Sequence, residues 1–377
     1  MDKIIIFHPA GLGDCLLDLA NLYQLVSSNH FTKRIEYYCN HSVKPIIKLS
    51  GLDRYLDIVY LYWPILDIRD LFQLSRLRKK KQKIFVLSGM NLKRVGYLKY
   101  LWSNEVELFG TIEHYPIECL NRITPNDNTY TYIEGPLPNC HRIVQNFKLF
   151  KNQGLLVDDD FSLNRFDQNI KSRFDSIDSG LKKEPYIVIH TSQLGLNAKK
   201  TMYVNYWRDF LNILAKQFDK KIIIIGSSLE KMNVESMLSA KNKNLIINAC
   251  GKTNLYEVIS IIEGSEIVLA VDGGMAHLAA ALGKKLITIF GPTNPFNVSP
   301  VGTEGIIITN PIECSPCYET KKYFSCPYNR KCLNGIDHSL LIELMMDIMA
   351  GVHIDKKIVN NYHINKIPDY KYLKSLI

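Results

Sequence analysis

The chain has 377 residues, of which 46% are hydrophobic and 22% charged, with a formal net charge of +9. That length favours two domains over one, and that composition excludes a disordered or fibrous protein. No uninterrupted apolar run reaches the ~18–20 residues a spanning helix needs. The N-terminus enters a short strand without the layout of a signal peptide, so a cytoplasmic protein is expected.

In chain order, residues 3–8 form a β-rich apolar run. Gly11-Leu12-Gly13-Asp14 then opens a helix running to about residue 28, with Leu16, Leu17, Leu19, Ala20, Leu22 and Leu25 as its apolar face. Strands are predicted at 34–39, 57–61 and 83–87. Strands alternating with helices imply a parallel sheet covered on both faces. Residues 76–83 hold six cations in eight positions, and Lys93, Arg94, Tyr97, Lys99, Tyr100 and Trp102 follow. Basic residues mixed with aromatics suit an anionic membrane surface or an anionic acceptor. Nucleic acid attracts the same charge, but no nucleic-acid-binding motif accompanies it. His141 to about Leu156 reads as a helix, and 157–181 as an acidic loop.

A second series begins near 185. Strands are predicted at 186–190, 221–226, 245–249, 267–271 and 285–290, and helices at 206–217, 255–263, 275–282 and 338–350. The expected organisation is an α/β unit over 1–170, a second over 183–350 with a cysteine-rich insertion at 312–334, and a polar tail over 351–377.

Five blocks carry chemistry. In Gly11-Leu12-Gly13-Asp14 the glycines allow a tight turn, and the acid sits where the helix dipole favours its ionised form. A dinucleotide fingerprint needs a third glycine where Leu16 stands, which argues against a nicotinamide enzyme. His190-Thr191-Ser192 is followed by Lys199-Lys200 and by Trp207; a lysine with hydroxyl donors can neutralise a leaving diphosphate without a metal. Gly226-Ser227-Ser228-Leu229-Glu230 ends a buried strand, and Glu230 reads either as a ribose-binding acid or as a first-turn helix acid. Asp272-Gly273-Gly274-Met275-Ala276-His277 runs from a strand end into an apolar helix, a place where anionic ligands bind. His277 reads either as a cleft residue or as a satisfied core histidine. Finally Cys314, Cys317, Cys326 and Cys332 are spaced as a possible tetrathiolate site for structural zinc or iron, against the alternative of four reduced thiols packing a loop.

These ordered blocks resemble the family 9 glycosyltransferases, which include the ADP-heptose:lipopolysaccharide heptosyltransferases, from residue 4 to about 350. The resemblance implies a GT-B fold, in which two Rossmann-like α/β domains face each other across a cleft. It implies transfer of a sugar, heptose from ADP-heptose, to a lipopolysaccharide core or related glycan, inverting and without a metal. Asp14 is then the general base. Thr191, Ser192 and Lys200 hold the diphosphate, Glu230 lies near the ribose, and Asp272, Gly273, Gly274 and His277 position the donor. Gly273 stands where relatives usually carry a threonine. The N-terminal domain takes the acceptor, with peripheral contact to the inner membrane and no nucleic-acid partner. The alternatives are a nucleotide-sugar epimerase of the same architecture, a heptosyltransferase acting on a protein or capsule acceptor, and a non-catalytic binding protein.

Overall fold

The computed structural model describes residues 3–27, 34–62, 68–79, 82–87, 106–111, 132–134, 140–156, 184–191, 199–318, 320, 323, 325–359 and 362–376. The chain divides into two compact units: Met1–Asn169 with Tyr370–Ile377, and Ile170–Asp369.

In the first unit the strands are β1 (Lys3–His8), β2 (Arg34–Asn40), β3 (Asp57–Leu61), β4 (Gln82–Val86), β5 (Val106–Thr111) and β6 (Tyr132–Glu134). They lie in the order β3-β2-β1-β4-β5-β6, and every pairing is parallel. The central strand β1 buries Ile4, Ile5, Ile6 and Phe7 without polar alternation, as a strand covered on both faces must. The helices are α1 (Leu12–Ser27), α2 (Lys44–Ser50), α3 (Ile68–Ser75) and α4 (Arg142–Asn152). Helix α2 has a proline in its first turn and ends at Gly51, whose φ of 74° places it in the left-handed region that glycine tolerates.

Helices α1 and α4 meet along a polar ladder rather than a purely apolar seam. Arg142 pairs with Asp14, and one turn further Asn146 Nδ2 lies 3.5 Å from Asp18 Oδ1. Asn21 Nδ2 donates to the Ile143 carbonyl at 3.2 Å. Asp18 is fully buried and also accepts from His8 and from the Tyr37 hydroxyl (2.9 Å). Burial pushes the Asp18 carboxyl up, and its bonds to His8 and Tyr37 offset part of that rise.

The second unit contains β7 (Tyr186–His190), α5 (Val204–Gln217), β8 (Lys221–Ile224), α6 (Lys231–Met237), β9 (Ile246–Asn248), α7 (Leu255–Gly264), β10 (Ile267–Val271), α8 (Gly274–Ala281), β11 (Leu286–Phe290), β12 (Gly305–Thr309), α9 (Lys331–Asn334), α10 (His338–Met349), β13 (Lys356–Val359) and β14 (Tyr362–Lys366). Its sheet runs β13-β14-β12-β11-β10-β7-β8-β9. Strands β7 to β12 are parallel and repeat the order of the first sheet, while β14 and β13 extend it antiparallel. Helices α5 and α10 bury Trp207, Phe210, Leu341 and Leu344 in one core with β7, β10 and β11. Helix α7 starts on a capping box formed by Asn254 and Glu257.

Residues 351–377, read from sequence as a polar tail, carry strands β13 and β14 and a helix at Tyr370–Lys374 that belongs to the first unit. Ile364, Ile367 and Leu373 are fully buried. Three isolated apolar side chains amid lysines and asparagines have no periodicity to read, yet each fills a packed position. Among the described residues no helix is long and apolar enough to cross a membrane.

Candidate active site

In open parallel sheets ligands bind outside the carboxyl ends of the strands, where the strand order reverses. In the second sheet that point lies between β7 and β10, which pair with His190 opposite Ala270. The sequence-selected residues of this unit follow these ends.

Asp272 comes one residue after β10, and its N–H donates to Ile289 O of β11 at 2.9 Å. Its Oδ2 accepts from Lys200 Nζ at 2.8 Å, an ion pair between residues 72 apart in sequence. The lysine side chain is 12% exposed and the aspartate side chain 6%, so the pair is largely withdrawn from solvent. The ammonium also stands 4.4 Å from the centre of the Tyr318 ring. Thr191 is buried, and its carbonyl accepts from Trp207 Nε1 at 2.8 Å. The indole thereby fixes the backbone directly after β7. Ser192 lies outside the described residues.

Gly273 and Gly274 lead into α8, whose first turn includes the buried His277. The Gly273 carbonyl accepts from Ala276 N (3.1 Å) and His277 N (3.3 Å). The first N–H groups of a helix have no acceptor within it, and the dipole adds partial positive charge there. The α8 terminus is therefore suited to an anion beside the Lys200–Asp272 pair.

Glu230 has duties within its own turn. Its Oε2 accepts from Ser227 N at 2.5 Å in a capping box. Its Oε1 lies 3.6 Å from His190 Nε2. A Cβ on Gly226 would meet Glu230 Oε2 at 2.7 Å and Cys250 Sγ at 3.0 Å, so glycine there makes room for the folded-back carboxylate. Burial lowers the His190 pKa, against a smaller opposing effect of Glu230.

In the first unit Asp14 occupies the first turn of α1, after the β1 strand end, and is ion-paired with Arg142 at the start of α4. The aspartate side chain is 31% exposed and the arginine side chain 10%. Arg142 was not singled out from sequence, because nothing local marks a partner 128 residues away. The basic-aromatic positions from Lys93 to Trp102 lie outside the described residues.

Cys314, Cys317 and Cys332 are buried, Cys326 is half-buried, and none is in a disulfide. Burial, with the three neighbouring thiols, pushes Cys332 up to about 12. Among the described residues no group of three or more His, Cys, Asp or Glu is placed to hold a metal ion. The described residues therefore lend no support to the expected structural zinc or iron.

Two parallel sheets with the same strand order, each presenting charged groups at its carboxyl edge, define an α/β protein of the GT-B class. Solved structures agree. A family 9 glycosyl transferase from Veillonella parvula superposes with a TM-score of 0.64 over 93% of this chain and 98% of that one, at 16% identity. The E. coli ADP-heptose lipopolysaccharide heptosyltransferase II gives 0.60 over 93% and 99%, at 14% identity. Residues 135–327 match the family described as glycosyltransferase family 9 (heptosyltransferase), and the chain belongs to that family. Among curated relatives, lipooligosaccharide heptosyltransferase 2 of Haemophilus influenzae is 33% identical over 90 residues, which are 23% of this chain and 26% of that protein. The matched stretches span only 26%, 33% and 31% of the first three such relatives.

Proposed function

We propose that the chain is a glycosyltransferase that moves heptose from ADP-heptose to a lipopolysaccharide core or related anionic glycan, inverting the anomeric carbon without a metal. The observation that carries the reading is the Lys200–Asp272 pair at the reversal point of the second sheet, beside the α8 N-terminus, in a member of family 9. Asp14 takes the proton of an acceptor hydroxyl as its oxygen attacks the anomeric carbon. The bond from that carbon to the diphosphate breaks on the opposite face, and ADP leaves. Lys200, the N–H groups at Gly273 and Gly274, and the hydroxyls of Thr191 and Ser192 neutralise the charge growing on the diphosphate. Asp272 and His277 hold sugar hydroxyls, and Glu230 serves the ribose only by sharing a carboxylate already bonded to Ser227.

The acceptor falls to the first unit, where Asp14 and Arg142 sit at one strand end. Peripheral contact with the cytoplasmic face of an anionic membrane is part of this reading. Helix α3 exposes Leu71 and Phe72, and Arg76 covers the Phe72 ring at 4.9 Å. The basic stretch follows directly in sequence.

The test is mass spectrometry of acceptor extracts incubated with the protein and a panel of nucleotide sugars. Mass addition with ADP-heptose is the expected result. Reaction with GDP- or UDP-sugars alone would remove the heptose assignment. A new sugar formed from donor alone would replace transfer with epimerisation.

A further inference from the structure

The cysteine-rich segment has no part in the chemistry above, yet its contacts converge on Lys200. Its start is tied to the turn after β11: Cys317 N and Tyr318 N both donate to the Pro292 carbonyl, at 2.7 and 2.8 Å, and Ser315 Oγ donates to Gly291 O at 2.6 Å. This brings the face of Tyr318 to 4.4 Å from the Lys200 ammonium, with Tyr323 packed edge-on against Tyr318 at 4.9 Å. Its end grips Thr201 and Tyr203, close after the lysine. Arg330 Nη1 donates to Thr201 O at 2.7 Å, and its guanidinium covers the Tyr203 ring at 4.2 Å. Asn334 Oδ1 accepts from Tyr203 N at 2.7 Å.

Asn329 and Arg330 adopt φ values of 51° and 55°, the left-handed region that costs a residue with a side chain. Arg330 N is held there by Cys326 Sγ at 3.3 Å. Two consecutive strained residues are what aims Arg330 and Asn334 at the Lys200 loop.

We propose that the segment 312–334 is a clamp on the donor site, with Tyr318 as the positioning residue that holds the Lys200 ammonium beside Asp272. The proposal rests on the reading of Lys200 as the diphosphate lysine. Without the clamp a lysine in a loop samples many rotamers, and ordering it would be charged against donor binding. A ring face attracts an ammonium without neutralising it, so the charge stays available to an anion.

The test is ADP binding by calorimetry to wild type, Tyr318→Leu, Tyr318→Phe, Lys200→Met and the Lys200→Met/Tyr318→Leu double variant. Tyr318→Leu should weaken ADP about tenfold, and Tyr318→Phe, which keeps the ring face, about twofold or less. In the Lys200→Met background the Tyr318→Leu change should have almost no further effect, because its action runs through that lysine. Additive losses, or equal losses with Leu and Phe, would overturn the clamp. If Lys200→Met itself leaves ADP binding unchanged, the diphosphate reading fails instead. A second readout needs no ligand. After reductive 13C-methylation, the Lys200 methyl signal, assigned by its absence in Lys200→Arg, should lie upfield under the ring in wild type and Tyr318→Phe. It should move to the ordinary lysine position in Tyr318→Leu, and an unmoved signal would refute the contact.

Discussion

Gly291→Ala perturbs the turn after β11 where its backbone packs against the end of the cysteine-rich segment. A Cβ there would meet Leu333 Cγ at 2.5 Å, Leu333 Cδ2 at 2.6 Å and Cys332 Sγ at 3.2 Å. Ordinary contact begins near 3.4 Å, so α9 must withdraw by about 0.9 Å. Leu333 is 1% exposed, so its packed side chain has little room to rotate out of the way. Overpacking of this kind costs about 1–3 kcal/mol. The displacement also reaches the candidate site, because Asn334 of α9 accepts from Tyr203 N and the adjoining Arg330 holds Thr201. Urea denaturation should show the stability loss, and calorimetry should show weaker ADP binding. Leu333→Ala alone should cost about 2–5 kcal/mol by opening a cavity. In the double variant the added methyl finds that space, so the combined cost should fall short of the sum by about 1 kcal/mol or more. Strict additivity, or a Gly291→Ala cost below about 0.5 kcal/mol, would refute the packing argument.

Three further outcomes are expected. Asp18→Ala leaves Tyr37 and His8 facing an empty acceptor position in a fully buried site and should cost about 3–5 kcal/mol in urea denaturation, with Asp18→Asn costing less; a loss under about 1 kcal/mol would contradict the network. Burial lowers His190 and His338 below the ordinary 6.5, so both are neutral when folded and take up protons on unfolding. Stability of the second unit should therefore be held above about pH 6.5 and fall as pH drops toward their folded values, and His190→Gln should flatten that slope in melts across pH 5–8. Asp14→Asn should keep ADP affinity and lose transfer by about 10²-fold or more, and normal turnover would remove Asp14 from the mechanism.

Legibility from sequence followed the range of the interactions. Strand β10 and helix α8 were readable because Ile267–Val271 is a short apolar run and the following residues switch to a helical period. Strand β12 was missed: Gly305–Thr309 is an apolar run too short to separate from a buried turn without its neighbours. Asp14, Lys200 and Asp272 stood out from sequence, but Arg142 and the two pairings did not. Arg142 and Lys200 reach them across 128 and 72 residues, distances over which no periodicity carries information. Tyr318 and Arg330 sit in irregular backbone held by cysteine and proline contacts, where neither period 2 nor period 3.6 applies. Asp18, one helical turn after Asp14, was not singled out from sequence, and its partner Asn146 lies 128 residues away on α4.

The two ion pairs share a property that bears on how such a site works. Exposed pairs add about 0–1 kcal/mol, and in buried pairs desolvation offsets much of the attraction, so neither the partly exposed Asp14–Arg142 pair nor the largely buried Lys200–Asp272 pair acts mainly to hold its unit together. Each instead keeps a charged group satisfied while no ligand is present, which avoids the cost of an unpaired, partly buried charge. A diphosphate carries more negative charge than one carboxylate, and it can also take the α8 N–H groups that Asp272 does not use. On the proposed reading it competes for Lys200, and Asp272 is then released toward sugar hydroxyls as the lysine turns to phosphate. By the same exchange, an acceptor bearing an anionic group can draw Arg142 away and leave the Asp14 carboxylate open to the acceptor hydroxyl. Arg142→Met should then raise the acceptor KM while leaving ADP affinity unchanged.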